Sequence, residues 1–173
     1  MCVAMSRSLP GTIKKEWVTS MQDNSIVFAC ANPLPEIWPW DAKDAGAKIV
    51  ATGRSDFSNQ LNNSLGFPGI FRGVLDVRAT KITDEMCLAA SIEIAKVAED
   101  KGLSEEYIVP SMDEWEVFIR EAVVVGIKAI DQGLAHVKRS RAELQEMSQK
   151  TITRSRNMVQ TLMKENYIPP PPD

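Results

Sequence analysis

The chain has 173 residues, 44% of them hydrophobic and 25% charged, a composition that suits one globular domain with a proper core. Its formal net charge of −3 gives no reason to expect nucleic acid as a partner. No apolar run approaches the roughly 18 residues that span a bilayer, and no signal-peptide pattern is present, so we expect a cytoplasmic protein that does not bind a membrane.

Segments of strand and helix type alternate along the first part of the chain. The predicted elements are strand, helix, strand, helix and strand, at 1–6, about 11–21, 26–31, about 39–45 and 47–51. The first helix rests on the repeat of Ile13, Trp17 and Met21, and Gly46 ends the second. This order and spacing are typical of a right-handed parallel α/β unit.

After the first 79 residues, every predicted element is a helix, at about 83–101, from about 111 to 133, and at about 141–166. Thr83 is placed to cap the first of these helices. Ser111 and Glu114 have the spacing of a capping box for the second, whose centre at 122–130 is apolar nearly all round and therefore buried. The sequence thus joins an α/β part to an all-helical region.

The last predicted helix carries an apolar stripe formed by Leu144, Met147, Thr151, Met158 and Leu162. Such a stripe is more typical of core or subunit packing than of a cofactor wall. The cations of this region alternate with acids and apolar residues, which indicates a solvated helix face. Beyond Ile168, the run from Pro169 to Pro172 predicts an extended tail without internal hydrogen bonds.

An adjacent pair of amides, Asn62 and Asn63, stands between a strand-like run and a helix that begins near Leu65. Such a pair can hold a carboxylate or an amide in a fixed orientation. Asparagines in turns also commonly bond their own backbone, and the local sequence taken alone favours that structural role. Both interpretations stay open at this point.

A third asparagine, Asn32, changes the balance between these interpretations. Asn32 ends the apolar strand at 26–31 and directly precedes Pro33, which favours an extended backbone there. Ligands of open parallel sheets bind outside the carboxyl ends of the strands. We therefore expect Asn32 to lie close to Asn62 and Asn63 on one rim of the sheet.

Other chemical motifs are weak. The cysteines, at 2, 30 and 87, are widely separated and make neither a zinc nor a disulfide pattern, and Cys30 is interpreted as a small core residue. His136 follows Gly133 in a helix-exit context that favours an exposed structural role. Asp56 is attractive as a metal ligand, but one carboxylate is not a site. None of the nine glycines makes a GxGxxG loop.

Five segments together carry a family resemblance: LPGTIKKEW at 9–17, IVFACANPLPEI at 26–37, the block at 46–79 that contains QLNNSLGFPG, ITDEMCLAA at 82–90, and YIPPPP at 167–172. Their order closely resembles malic enzymes of the bacterial and archaeal type. The implied fold is α/β, with a partial Rossmann-like parallel sheet followed by an all-helical C-terminal region. Residues 1–80 would be the C-terminal half of an NAD(P)-binding domain, and 81–173 a helical extension that packs on it and on a partner subunit or domain.

The resemblance also implies an activity. Malic enzymes oxidise L-malate by hydride transfer to NAD or NADP, decarboxylate the product with the help of Mn²⁺ or Mg²⁺, and release pyruvate. We expect the complete enzyme to be a dimer. By motif, Asn32, Asn62 and Asn63 resemble the family's substrate-binding amides, and Asn32 and Asn63 would also lie near the cofactor.

In the family, the general base and acid are a lysine and a tyrosine of an N-terminal domain, which also supplies most metal ligands. No catalytic residue or metal ligand is therefore assigned here, and Tyr107 and Tyr167 fall outside the matching motifs. We expect the isolated chain to be inactive. The alternatives are a non-catalytic remnant or interaction module that associates with a full-length malic enzyme through an open sheet edge and its amphipathic helices, and a stand-alone nucleotide-binding domain.

Overall fold

A computed structural model describes residues 1–171, so Pro172 of the predicted tail lies outside the described residues. Its elements in chain order are Cys2–Ala4 (β1), Lys15–Thr19 (α1), Ser25–Ala29 (β2), Pro39–Asp44 (α2), Ala47–Thr52 (β3), Phe67–Asp76 (α3), Asp84–Lys101 (α4), Glu116–Asp131 (α5) and Arg141–Lys164 (α6). A one-turn 3₁₀ helix, Asn63–Leu65, precedes α3. The predicted fold class, a parallel α/β sheet followed by a mostly helical region, is confirmed.

The sheet has three parallel strands in the order β1-β2-β3. In the middle strand, Val27 pairs with Cys2 on one side and with Val50 on the other. Val27 and Ala29 are fully buried, as expected for the central strand of a covered sheet. The core around them also contains Ile13, Val18, Ile37, Ala42, Ala47 and Val50.

The first helix is shorter than the predicted 11–21, because α1 covers only Lys15–Thr19. The backbone amides of Gly11 and Ile13 donate to the carbonyl oxygen of Glu36, at 2.9 and 3.2 Å. Gly11 also has a φ of +87°, which lies outside the helical region. These long-range bonds hold the segment before Lys15 as a loop, so the apolar repeat over-predicted the helix.

The chain forms two compact units that interleave along the sequence. One unit contains Met1–Pro68 and Ser91–Val117, and the other contains Gly69–Ala90 and the chain from Phe118 onward. The sheet belongs to the first unit. The division into 1–80 and 81–173 stays a prediction.

The second unit has its own core around α5, and the predicted burial of 122–130 agrees with it. Gly73 of α3 packs tightly on α5, since a Cβ at Gly73 would lie 2.6 Å from the carbonyl oxygen of Ala122. The buried members of this core are Val74, Val77, Met86, Ala90, Val123, Val125, Ala129 and Leu144. Small residues at the contact allow α3 and α5 to approach closely.

One predicted helix start is displaced, and the capping box of another, correctly placed helix was not predicted. Ser111 N–H donates to Glu114 Oε1 at 2.7 Å, but this pair closes a turn ahead of α5, which begins only at Glu116. The complete capping box instead joins Ser140 and Glu143 at the start of α6. Thr83 does cap α4, because its Oγ1 accepts from Met86 N–H at 3.3 Å.

The stripe on α6 is buried only near its start. Leu144 is fully buried, whereas Thr151 and Met158 are exposed. Ser148, one turn after Leu144, is the other fully buried residue of this helix. Core packing therefore accounts for the first two turns of α6.

Candidate functional site

The candidate site lies in the first unit, where β2 and β3 end. Asn32 follows the end of β2 and Gly53 directly follows β3. A Cβ built on Gly53 would lie 2.5 Å from Nδ2 of Asn32 and 2.9 Å from the carbonyl oxygen of Cys30. The Asn32 side chain therefore rests against the Gly53 backbone, and only glycine leaves room for this approach.

Asn62 reaches the same glycine from the other direction along the chain. Its Nδ2 donates to the carbonyl oxygen of Gly53 at 2.9 Å, and its Oδ1 accepts from Ser64 N–H at 3.0 Å. The second bond caps the 3₁₀ turn, which is the structural role common for asparagine. One N–H and one lone pair of this amide remain for other partners.

Two of the three predicted site residues thus meet around one point of backbone. Asn32 and Asn62 both contact Gly53, as expected for residues that follow neighbouring parallel strands. Asn63 is the exposed first residue of the 3₁₀ turn. We call Asn32, Gly53, Asn62 and Asn63 the amide rim.

A buried carboxylate that the sequence analysis missed supports this rim. Glu36 is fully buried, and its Oε1 accepts from the N–H and the hydroxyl of Ser6 at 2.7 and 3.1 Å. Its Oε2 accepts from Ala31 N–H at 3.2 Å. Glu36 therefore joins the segments that follow β1 and β2 and holds the loop that carries Asn32. The available signal was a lone acid between Pro35 and Ile37 in an apolar loop.

Asp56 is committed to an ion pair. Its two carboxylate oxygens accept from Nε and Nη2 of Arg54, at 2.8 and 2.7 Å. The hydrogen bonds from Arg54 lower the pKa of the Asp56 carboxyl. Among residues 1–171, no group of three or more His, Cys, Asp or Glu side chains could hold a metal ion.

Cys30 is half-buried beside the rim. Burial, followed by the nearby charge of Glu36, raises the pKa of its thiol. The thiol therefore stays protonated at neutral pH, in keeping with a packing role.

The rim consists of neutral amides and backbone, so it can bind and orient a ligand with hydrogen bonds.

Gly53→Ala is expected to lower the free energy of unfolding by about 1–3 kcal/mol, because the new methyl group meets both a backbone oxygen and the Asn32 amide. Urea unfolding of this chain measures the change. Ser55→Ala, at an exposed position of the same turn, is the matched control and should stay close to the parent. Equal midpoints for all three proteins would contradict the close contact at Gly53.

A parallel sheet with orienting polar groups at the carboxyl ends of its strands defines a class, the open α/β domains that bind ligands at this edge. A family model described as "Malic enzyme, NAD binding domain" matches residues 5–130, which include the whole amide rim. The chain belongs to the malic enzyme family. No helix within residues 1–171 is both long and apolar enough to cross a membrane.

Individual relatives agree with this assignment. The bifunctional malic/malolactic enzyme of Bacillus subtilis is 47% identical over 143 residues, which are 83% of this chain and 35% of that protein. The NAD-dependent malic enzyme of Geobacillus stearothermophilus is 50% identical over 119 residues, or 68% of this chain and 25% of that protein. The chain spans about a quarter to a third of the length of these relatives.

Solved structures give the same result. The crystal structure of Entamoeba histolytica malic enzyme superposes with a TM-score of 0.94 at 46% identity, over 97% of this chain and 35% of that one. The malic enzyme of Pyrococcus horikoshii gives a TM-score of 0.86 at 47% identity, over 94% of this chain and 37% of that one. Nearly the whole chain therefore has the fold of one segment of these enzymes.

Proposed function

We propose that this chain forms the substrate-facing part of the NAD(P)-binding domain in a complete malic enzyme, which converts L-malate to pyruvate and CO2 and reduces NAD or NADP. The observation that carries the proposal is the convergence of Asn32 and Asn62 on Gly53, inside the segment matched by the family. Both nucleotides stay open, since the relatives include proteins named NAD-dependent and NADP-dependent.

The amides share two roles in this proposal. Asn32, Asn62 and Asn63 bind malate, and the exposed Asn63 together with Asn32 also faces the nicotinamide end of the cofactor. NAD(P), when bound, supplies the hydride acceptor. Neutral amides suit this task because they orient a carboxylate without holding it as strongly as a cation would. Asn62 contributes through its one remaining N–H, because its other contacts fix it to Gly53 and Ser64.

Proton transfer and metal binding are assigned to residues outside this chain. The amide rim contains no acid or base, and the described residues offer no cluster for Mn²⁺ or Mg²⁺. The proposal therefore includes a lysine and tyrosine pair and a metal site in the rest of the enzyme, a dimeric assembly and a cytoplasmic location. The isolated chain is proposed to be inactive.

A chimera tests the proposal. In the Entamoeba histolytica malic enzyme, the segment that superposes on this chain is replaced by this sequence, and malate-dependent formation of NADH or NADPH is measured. The chimera should be active and the isolated chain inactive. Asn32→Ala in the chimera should lower kcat/KM for malate about 100-fold, because the substrate loses an orienting contact.

The matched control is Asn157→Ala, which removes an exposed amide from α6 and should leave kcat/KM within about twofold. Asn63→Ala should chiefly raise KM for the nucleotide. An active chimera in which Asn32→Ala has no effect would contradict the assignment of the rim. Malate-dependent nucleotide reduction by the isolated chain would contradict the assignment of proton transfer to residues outside it.

A second candidate function is an interaction module, and the exposed part of α6 favours it. Met158 and Val159 are 57% and 40% exposed, so this apolar surface is open to another protein. In this case the chain would associate with a full-length malic enzyme and not act in catalysis. Size-exclusion chromatography of the chain with and without such an enzyme separates the two candidates, since only the module should co-elute.

A further inference from the structure

Arg54 is bonded on two sides next to the amide rim. It directly follows Gly53, and its Nη1 donates to the carbonyl oxygen of Pro33 at 2.7 Å. Its Nε and Nη2 donate to the carboxylate of Asp56, at 2.8 and 2.7 Å. One guanidinium therefore joins the turn after β3 to the residue that follows Asn32 in the loop after β2.

The faces of the same group meet aromatic rings. The Cζ atom of Arg54 lies 5.7 Å from the ring centroid of Trp38 and 5.6 Å from that of Phe57. Trp38 in turn stacks on Trp40, with 4.9 Å between centroids and 9° between planes. A planar guanidinium can stack and bond in its plane at once, which a lysine ammonium cannot do.

The charge of Arg54 is also satisfied within the chain. Asp56 raises the pKa of the guanidinium and has its own pKa lowered, so the pair stays ionised together. The bidentate geometry is the strong form of such a pair. A cation committed in this way is poorly placed to clamp an anionic substrate itself.

We propose that Arg54 is a positioning residue of the amide rim, which fixes Asn32 through the Pro33 carbonyl and acts on the reaction only through Asn32. This inference rests on the proposed function. Arg54 has no direct contact with malate or nucleotide in it. Asp56 and the rings of Trp38 and Phe57 hold the guanidinium in the orientation that the Pro33 bond requires.

A double-mutant cycle in the active chimera tests whether Arg54 acts through Asn32. Arg54→Ala alone should lower kcat/KM for malate about tenfold or more, as expected for a displaced orienting group. Arg54→Ala combined with Asn32→Ala should be no worse than Asn32→Ala alone. Added guanidinium ion should restore part of the activity of Arg54→Ala and none in the double variant, because the side chain is partly open to solvent.

The control is Lys101→Gln, which breaks another ion pair of the same unit, with Glu114, and should leave kcat/KM within about twofold. Suppose that Asn32→Ala lowers kcat/KM and that the loss in the double variant equals the product of the two single losses. The proposed function then stands and the positioning role of Arg54 is overturned. If Arg54→Ala has no effect, the positioning role is likewise overturned. If Asn32→Ala has no effect in an active chimera, both proposals fall.

A second measurement covers the case in which Arg54→Ala does not fold. Arg54→Lys keeps the positive charge but loses the bidentate bond to Asp56 and the planar group that stacks on the rings. This variant is examined in this chain by NMR. The side-chain amide signals of Asn32 should shift in Arg54→Lys and stay unchanged in Lys101→Gln. Unchanged Asn32 signals in a folded Arg54→Lys protein would overturn the proposal.

Discussion

Replacing Glu121 with glutamine is expected to stabilise the chain at neutral pH and to flatten the pH dependence of its stability. Glu121 is fully buried in α5, and neither of its carboxylate oxygens has a hydrogen-bond partner within residues 1–171. It packs on the first turn of α3, since a Cβ at Gly69 would lie 2.6 Å from Glu121 Oε2. Burial raises the pKa of this carboxyl to about 9.

The direction in which pH changes the stability follows from proton binding. Between the ordinary pKa of 4.5 and the folded-state value of about 9, the folded chain holds a proton that the unfolded chain releases. The free energy of unfolding is therefore highest below the unfolded-state pKa. It falls by about 1.4 kcal/mol per pH unit as the pH rises from there toward 9. At pH 7 the loss is about 3 kcal/mol, and Glu121→Gln should recover an amount of this order.

Urea unfolding of both proteins between pH 4.5 and pH 9 measures this effect. The two should have similar stabilities near pH 4.5 and diverge steadily above it. Glu116→Gln is the matched control, because Glu116 is exposed at the start of the same helix. Its profile should run parallel to that of the parent. Parallel profiles for Glu121→Gln as well would show that Glu121 is charged in the folded chain.

Glu121 also illustrates what the sequence could not predict. The apolar run at 122–130 predicted a helix with a buried centre, and α5 does cover this run, although it begins at Glu116 and not near Ser111. The acid directly before that run has no local signal of burial. Its environment depends on Gly69, which lies in another helix.

The amide rim also has one feature that the sequence predicts and others that it does not. That Asn32 and Asn62 are neighbours was predictable, because the carboxyl ends of adjacent parallel strands share one edge. The two residues that support the rim, Glu36 and Arg54, were not predictable. Glu36 bonds Ser6 across 30 residues and Arg54 bonds Pro33 across 21, and no spacing rule connects such positions. The over-predicted α1 has the same cause, since the carbonyl of Glu36 holds the segment before it as a loop.

Asp76→Ala is expected to lower the free energy of unfolding by about 3–5 kcal/mol, because it removes one partner of a buried ion pair. The Asp76 side chain is 1% exposed at the end of α3 and pairs with Arg72 one turn earlier. Its Oδ2 also accepts from the hydroxyl of Ser148 in α6 at 3.1 Å. Its backbone carbonyl accepts from Arg139 Nε at 3.4 Å, a bond that the substitution spares.

The position of Asp76 shows why the pair matters. A carboxylate at a helix C-terminus faces the negative end of the helix dipole, so burial there needs a cation. Asp131 ends α5 in the same way but is exposed, and Asp131→Ala is the control that should change stability by no more than about 0.5 kcal/mol. Equal losses for Asp76→Ala and Asp131→Ala would contradict a buried pair.

A double variant separates loss of the pair from loss of packing. Asp76→Ala leaves the Arg72 guanidinium, whose Nε is already buried without a partner in the described part of the chain, with no acceptor for its charge. Arg72→Met removes that charge and keeps an apolar side chain, so adding it to Asp76→Ala should recover part of the lost stability. If the double variant is instead less stable than Asp76→Ala, the stability lost in Asp76→Ala comes from packing and not from the unpaired Arg72 guanidinium. Recovery would show that the Arg72 guanidinium is tolerated here only with a carboxylate partner, whereas the unpaired Glu121 carboxyl is tolerated only in its protonated, neutral form.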